Sequence, residues 1–331
     1  MINYPKMKCR LLNWWIVVTI CGLLVATWVM ALSTRTSHAP AQPVSLFSGA
    51  SPPKLTGPLS MPAGDLKQRE IGMMNLTCAT DLPGCEGVEM RAALAELDRI
   101  ARKVKAETGR FLNKFRERPE EFNYSETYFR MLCLVTVLQQ DFGVGYSPNR
   151  VRPSEGSIEP NETFFADSRD IFLHGLLGPN RSGTCASLPV LYIAVGRRLG
   201  YPLKLVAAKN HLFVRWEDAR ERLNIEATTQ GLTTFDDDYY RRWPFPMTPE
   251  EERTERYLIS FGPAEELSVF LSLRTQCLLA AGRFAEALSC QEKVCRLAPH
   301  STSQREILEY AKNQARQQTK SRVNKQTMLN L

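Results

Sequence analysis

The sequence predicts a mixed α+β domain in which long helices precede a short antiparallel sheet, with an apolar helix ahead of the domain and paired helices behind it. Three observations predict this. Apolar residues recur at helical spacing from Met90 to Phe115, three short runs between Leu203 and Ala227 read as strands, and an uncharged stretch from Leu11 to Leu32 precedes everything else.

A chain of 331 residues holds one substantial domain with appendages, since a single core serves about 100 to 200 residues. Its 44% hydrophobic and 23% charged content excludes collagenous, disulfide-dense and wholly disordered classes. The net charge of +7 comes from Lys and Arg scattered through acidic helices and enriched in both tails. With no basic stripe interleaved with aromatics, no nucleic-acid partner is expected.

Residues 1–10 carry Lys6, Lys8 and Arg10, and residues 11–32 are long enough to cross a bilayer as a helix. Only Arg35 lies close on the far side, so the positive-inside bias puts residues 1–10 in the cytoplasm and the main domain outside, in the periplasm or envelope. Val29 and Ala31 would also suit a signal peptidase, but the run exceeds the usual signal core of about 7 to 15 residues. The expectation is a single-pass anchor that makes the membrane one partner of the chain. Residues 33–69, with Pro40, Pro43, Pro52, Pro53, Pro58 and Pro62 among Ser, Ala and Gly, read as a disordered linker.

The domain is expected over residues 70–262, with its core at 125–245. Met90, Leu94, Leu97, Ala101, Val104, Phe111 and Phe115 mark one face of a helix from Val88 to Arg118, stopped by Pro119. A second helix runs from Ser125 to Gly143. A polar loop from Tyr146 to Thr163 then leads to a short helix from Asp167 to Leu177, capped by Asp167. The next helix starts close to Cys185, because Pro189 is tolerated only in a first turn, and it ends before Gly200 and Pro202. Strands follow at Leu203–Ala208, His211–Trp216 and Arg222–Ala227. Phe235 to Pro249, aromatic and acidic, should wrap the domain and frame a cleft.

Residues 263–318 place Leu271, Leu278, Gly282, Ala287 and Pro299 where a tetratricopeptide repeat would, on helices of 264–281 and 284–297 with a capping helix from Ser301 to Gln318. One such unit cannot bury its own face, so it packs on the domain or on a protein partner. Residues 319–331 read as a basic disordered tail. Of nine cysteines, Cys9 and Cys21 belong to the anchor, which leaves an odd seven. In an oxidising compartment Cys78 and Cys85 could pair across Leu82-Pro83-Gly84; the alternative is that most are small buried residues.

The chemistry concentrates in three residues. At a helix N-terminus, where Cys185 is placed, unsatisfied N–H groups and the macrodipole favour a thiolate. A hairpin closed by Glu217 to Arg220 sets His211 directly opposite Glu226 on one face of the sheet, so a carboxylate holds one imidazole nitrogen and frees the other. Thiol catalysis asks for a nucleophile, a base and an orienting group in that relation. Singly, His211 reads as a strand-end histidine and Glu226 as its surface ion-pair partner. Jointly, on consecutive elements, the three do not.

These stretches resemble the transglutaminase-like domains of the papain-like superfamily, most closely the bacterial branch related to the SirB1 proteins. The resemblance spans about Asn75 to Pro299. It is carried by Asn75-Leu-Thr-Cys-Ala-Thr-Asp-Leu-Pro-Gly84, Asp167-Ser-Arg-Asp-Ile-Phe-Leu-His-Gly-Leu-Leu177, Gly183-Thr-Cys-Ala-Ser-Leu-Pro189, Arg197-Arg-Leu-Gly-Tyr-Pro202, Lys209-Asn-His-Leu-Phe-Val-Arg215 and Asn224-Ile-Glu-Ala-Thr228. It implies a catalytic Cys, His and acid at Cys185, His211 and Glu226. Two departures are notable: the acid here is Glu where Asp is typical, and the cysteine is present although many members of this branch lack it.

The expected enzyme attacks a carboxamide or peptide carbonyl of a protein or peptide substrate and passes through a thioester. The rivals are an inactive scaffold that holds a partner on its C-terminal helices, and a structural disulfide at Cys185. The backbone N–H of Cys185 is the natural oxyanion donor; Gln139 and Gln140 are side-chain donors that nothing in the sequence places near the thiol. No cofactor or metal is expected. Asp236-Asp-Asp238 lacks further acidic ligands at spaced positions, and His174 has no ligand spacing.

Overall fold

The computed structural model describes residues 70–150 and 161–329. Residues 11–32, expected as the anchor, and the whole of the expected linker at 33–69 lie outside the described residues. Among those described, no helix is long and apolar enough to cross a membrane.

Helix α1 (Ile71–Ala79) is capped by the Glu70 carboxylate, which accepts from Gly72 N and Met73 N, and is buried at every position except Met73. It has no polar face, so the sequence pattern left it unassigned. Helix α2 (Met90–Glu117) buries the stripe Ala93, Leu97, Ile100, Ala101, Val104 and Thr108 and stops before Pro119. Helix α3 (Glu126–Thr136), capped by Ser125, continues through a wider π turn over Val137–Asp141. The expected elements thus appear within a few residues of their bounds.

Strand β1 (Gly145–Tyr146) and helix α4 (Asn161–Phe164) follow. The helix expected over Asp167 to Leu177 is two short ones, α5 (Ser168–Ile171) and α6 (Leu173–Leu177), because Phe172 between them is extended. Strand β2 (Ser182–Gly183) pairs in parallel with β1 and leads into α7 (Leu188–Arg198). Apolar on all sides, α7 is buried from Leu188 to Gly196 and packs against α1, α2 and the main sheet.

That sheet is an antiparallel meander of β3 (Leu203–Ala208), β4 (His211–Glu217), β5 (Arg222–Glu226) and β6 (Thr233–Thr234). The chain then forms a strap that includes α8 (Asp237–Tyr240) and α9 (Pro249–Thr254). It returns along the free edge of β3, where Leu258 N donates to Ala207 O and Phe261 N to Leu205 O, both at 2.9 Å. This covers an edge that would otherwise offer unpaired backbone groups. The fully buried Arg215 fastens the strap to β4, donating to Leu258 O, Asp237 Oδ1 and Asn224 Oδ1.

Helices α10 (Pro263–Ala280) and α11 (Phe284–Leu297) fall where the sequence placed them. Of the two surfaces left open for this pair, the domain provides one: Leu267, Phe270, Leu271, Cys277, Leu278, Ala287, Cys290 and Val294 share one continuous core with α1 and α7. Arg274 Nη1 donates to the carbonyls of Cys78 and Thr80, and Arg197 forks onto the buried Glu266. Glu255 of the strap caps α12 (Thr302–Leu329), accepting from Thr302 N and Ser303 N. The tail expected from residue 319 is instead helical to Leu329, since no Gly or Pro interrupts this Gln-, Lys- and Arg-rich stretch.

The seven described cysteines are free, so Cys78 and Cys85 are not joined. Cys78 is buried beside Cys290, Arg274 and Lys293, and burial pushes its thiol up, whereas Cys85 sits half-buried beside Glu86 and Asp81.

Candidate active site

Cys185 lies in the turn Thr184–Ser187, three residues before the first regular position of α7, with Pro189 in the first turn. Its start is therefore near the sulfur, though one turn later than expected. Two hydroxyls fix the turn by converging on one carbonyl: Thr184 Oγ1 and Ser187 Oγ donate to Asp170 O at 2.8 and 3.0 Å. Thr184 N donates to Ser187 Oγ and Ala186 N to Thr184 Oγ1. Gly183 is required here because a Cβ at that position would fall 2.3 Å from Ser187 Oγ. Among the described residues the backbone N–H of Cys185 has no acceptor, which leaves it open to a developing oxyanion.

His211 begins β4 after the Lys209-Asn210 turn, in which Asn210 takes the left-handed conformation at φ 57°. Its Nε2 is 2.8 Å from Glu226 Oε2. The pairing that brings them together differs from the expected one. Val214 faces Ile225 and Glu217 faces Arg222, so His211 and Glu226 are diagonal neighbours, not directly opposed ones. The loop starts at Asp218, whose carboxylate accepts from Arg220 N and Glu221 N and leaves Glu217 in the strand. A shift of two residues preserves the face, where a shift of one would have parted the two side chains. Diagonal positions are about 7–8 Å apart, within reach of long side chains only. The Glu226 side chain is long enough to span that diagonal.

The Glu226 carboxylate is fully engaged. Thr228 N and Oγ1 donate to Oε1 at 2.9 and 2.6 Å, and Oε2 takes the Tyr240 hydroxyl at 3.1 Å as well as His211. Burial works against both charges of the pair. For His211 that effect is more than reversed by the charge and hydrogen bond of Glu226 and by Cys185, so the imidazole is raised from an ordinary 6.5 to about 10. Burial likewise opposes the Glu226 anion, but His211 and Thr228 hold it below the ordinary carboxylate value. Cys185 is near enough to His211 to help hold the proton on its ring. Nε2 is committed to Glu226, and the buried Nδ1 has no hydrogen-bond partner, so it is the ring nitrogen free to serve a thiol.

A pH dependence of stability follows. His211 is raised, so its contribution is complete below about 6.5 and is lost as pH climbs through about 10. Glu226 is lowered, so its contribution is present above about 4.5 and is lost on acidification. Melting temperature should therefore decline from near pH 6.5 towards pH 10 in the wild type, and His211→Ala should flatten that alkaline slope.

The sequence reading missed the aromatic roof. Trp243 sets its edge on His211 with ring centroids 4.8 Å apart, and Tyr240 stacks on Phe213 at 3.8 Å. The density of aromatics in Phe235 to Pro249 was the available signal, but it did not say which rings turn inward. Cys185, His211 and Glu226 are 8%, 3% and 1% exposed. Gln139 is no oxyanion donor: its Nε2 donates to Thr229 O and Tyr192 OH and its Oε1 accepts from Gly231 N, which clamps the loop after β5. Gln140 is exposed.

The acidic residues Asp236, Asp237 and Asp238 at the start of α8 point into separate partnerships. Asp236 caps the helix, Asp237 pairs with Arg215 and Arg222, and Asp238 pairs with Arg241. His174 sits against Ser168 Oγ at 3.1 Å, and burial lowers it to about 4, so it stays neutral.

The pattern that defines the transglutaminase-like superfamily matches residues 91–268. This is more than half of the chain, which therefore belongs to the transglutaminase-like superfamily. No curated protein and no solved structure matches it.

Proposed function

We propose that this chain is a cysteine acyl-transfer enzyme that attacks a carboxamide or peptide carbonyl, with Cys185 as nucleophile, His211 as base and acid, and Glu226 as the orienting carboxylate. The observation that carries the reading is the buried His211 Nε2–Glu226 Oε2 contact of 2.8 Å, with the Nδ1 of the same ring unpartnered and Cys185 a neighbour of that imidazole. The Cys185 proton rests on His211 as imidazolium before substrate arrives; the thiolate attacks the carbonyl carbon, and the Cys185 N–H receives the oxyanion. His211 then protonates the departing amine as the C–N bond breaks, leaving a thioester on Cys185. Water resolves it to a free acid, as in a protease or amidase. An amine resolves it to a new amide, as in a transglutaminase. The same three residues serve both.

We further propose the bacterial SirB1-related branch for this chain, with an N-terminal membrane anchor that holds the domain on the envelope side, and a tetratricopeptide-like role for α10 and α11, on whose outer face a protein partner would dock. The scaffold reading has one observation in its favour, the complete burial of the His211 side chain beneath Trp243. An activated ester decides between them. The full chain incubated with p-nitrophenyl acetate should release a stoichiometric burst of nitrophenol and carry acetyl on Cys185, and Cys185→Ala should abolish both. Absence of the burst and of the adduct favours the scaffold.

A further inference from the structure

We propose that Tyr240 is a positioning residue for acyl transfer, its hydroxyl holding the Glu226 carboxylate as an acceptor so that the shared proton stays on His211. This rests on the reading of Cys185, His211 and Glu226 as a catalytic set. A glutamate has enough rotatable bonds to swing away from its imidazole, and two clamps prevent it: Thr228 takes Oε1 while Tyr240 takes Oε2, the same oxygen that receives His211 Nε2. The Tyr240 ring is wholly buried and stacked on Phe213, so the hydroxyl is fixed as firmly as the strand beneath it. Burial and the Glu226 charge push the phenol upward, which keeps it a donor across the working range.

Other ionisable groups reach this cluster from each element around it: Cys185 from the turn before α7, Tyr192 from α7, His211 and Arg215 from β4, and Tyr239 from α8. Burial keeps Tyr192 and Tyr239 neutral, and Arg215 is committed to Asp237. Loss of the Tyr240 donor therefore falls on Glu226 itself. The carboxylate becomes more basic and protonates at a higher pH, and without its charge the imidazolium that supports a thiolate is no longer favoured.

The test is the pH profile of Cys185 alkylation by iodoacetamide in the full chain, read by mass mapping. In Tyr240→Phe, which keeps the ring and its stacking, the acid edge of the profile should move up by about one pH unit, the size expected for one of four donors to a buried carboxylate. Substitution by 3-fluorotyrosine, a stronger donor, should move the edge down and guards against a folding defect in the first variant. Edges that coincide with the wild type in both proteins would show that Tyr240 merely fills space. A wild-type profile that follows a free thiol instead would remove the catalytic reading itself, and the role of Tyr240 with it.

Discussion

Glu226→Asp, which keeps the charge and removes one methylene, should depress the alkylation rate of Cys185 at neutral pH by about 10- to 100-fold, nearly as far as Glu226→Ala. The reason is the diagonal pairing of β4 and β5. Directly opposed strand residues have Cβ atoms about 4.5–5.5 Å apart, a gap an aspartate spans, but the diagonal adds some 2–3 Å. A shorter carboxylate would give up either His211 or the two donors of Thr228, all of which Glu226 reaches at 2.6–2.9 Å. A buried imidazole without its partner deprotonates, and the hydroxyls of Tyr240 and Thr228 lose their acceptor. Breaking a buried pair by removing one partner costs about 3–5 kcal/mol, so the melting temperature should fall together with reactivity. If Glu226→Asp retains wild-type reactivity, the diagonal geometry does not govern the site.

The second large effect is expected at Arg215→Met. Its guanidinium is buried and donates to Asn224 Oδ1, Leu258 O and Asp237 Oδ1 at 2.7, 2.8 and 2.7 Å, which joins β4, β5 and both halves of the strap. Methionine fills much of the volume and replaces none of these bonds, so a destabilisation of about 3–5 kcal/mol is expected by denaturant unfolding. The loss should be local before it is global. Amide exchange at Leu258 and Phe261 should rise ahead of the rest of the sheet, and Trp243 should leave His211, with a change in indole fluorescence. Because the strap carries Trp243 and Tyr240 against His211 and Glu226, the same variant should also change the alkylation rate of Cys185. Unchanged exchange at those two amides would mean that the edge of β3 holds the strap without Arg215.

Much of this arrangement was legible in the residues, and the misses have physical causes. Pro189 and Gly200 bracket α7 because proline tolerates only a first turn and glycine the turn beyond a helix, so the nucleophile's position came from two backbone constraints. The strand bounds came from short runs set apart by the turns at Lys209-Asn210 and Glu217 to Arg220, and the face shared by His211 and Glu226 survived an error of register because faces repeat every second residue. The register itself depended on the Asp218 carboxylate closing its own loop, a side-chain to backbone bond with no signature in hydrophobic periodicity. Helix α1 was invisible for the opposite reason, being buried on every side. The roles of Tyr240 and Trp243 needed the fold, since a run of aromatics marks an inward-facing segment without saying which ring meets the imidazole. The last helix outran its expected end because the repeat pattern sized it as a short capping helix, while its own composition sustains a helix to Leu329.

The central claim is that an imidazolium kept by Glu226 serves the sulfur of Cys185. Its most direct test is the second-order rate of iodoacetamide addition at Cys185 in the full chain at pH 6, compared with a free peptide cysteine and with His211→Ala. The account predicts that the wild type reacts much faster than the peptide and that His211→Ala falls to the peptide rate or below. Equal rates in all three would contradict it.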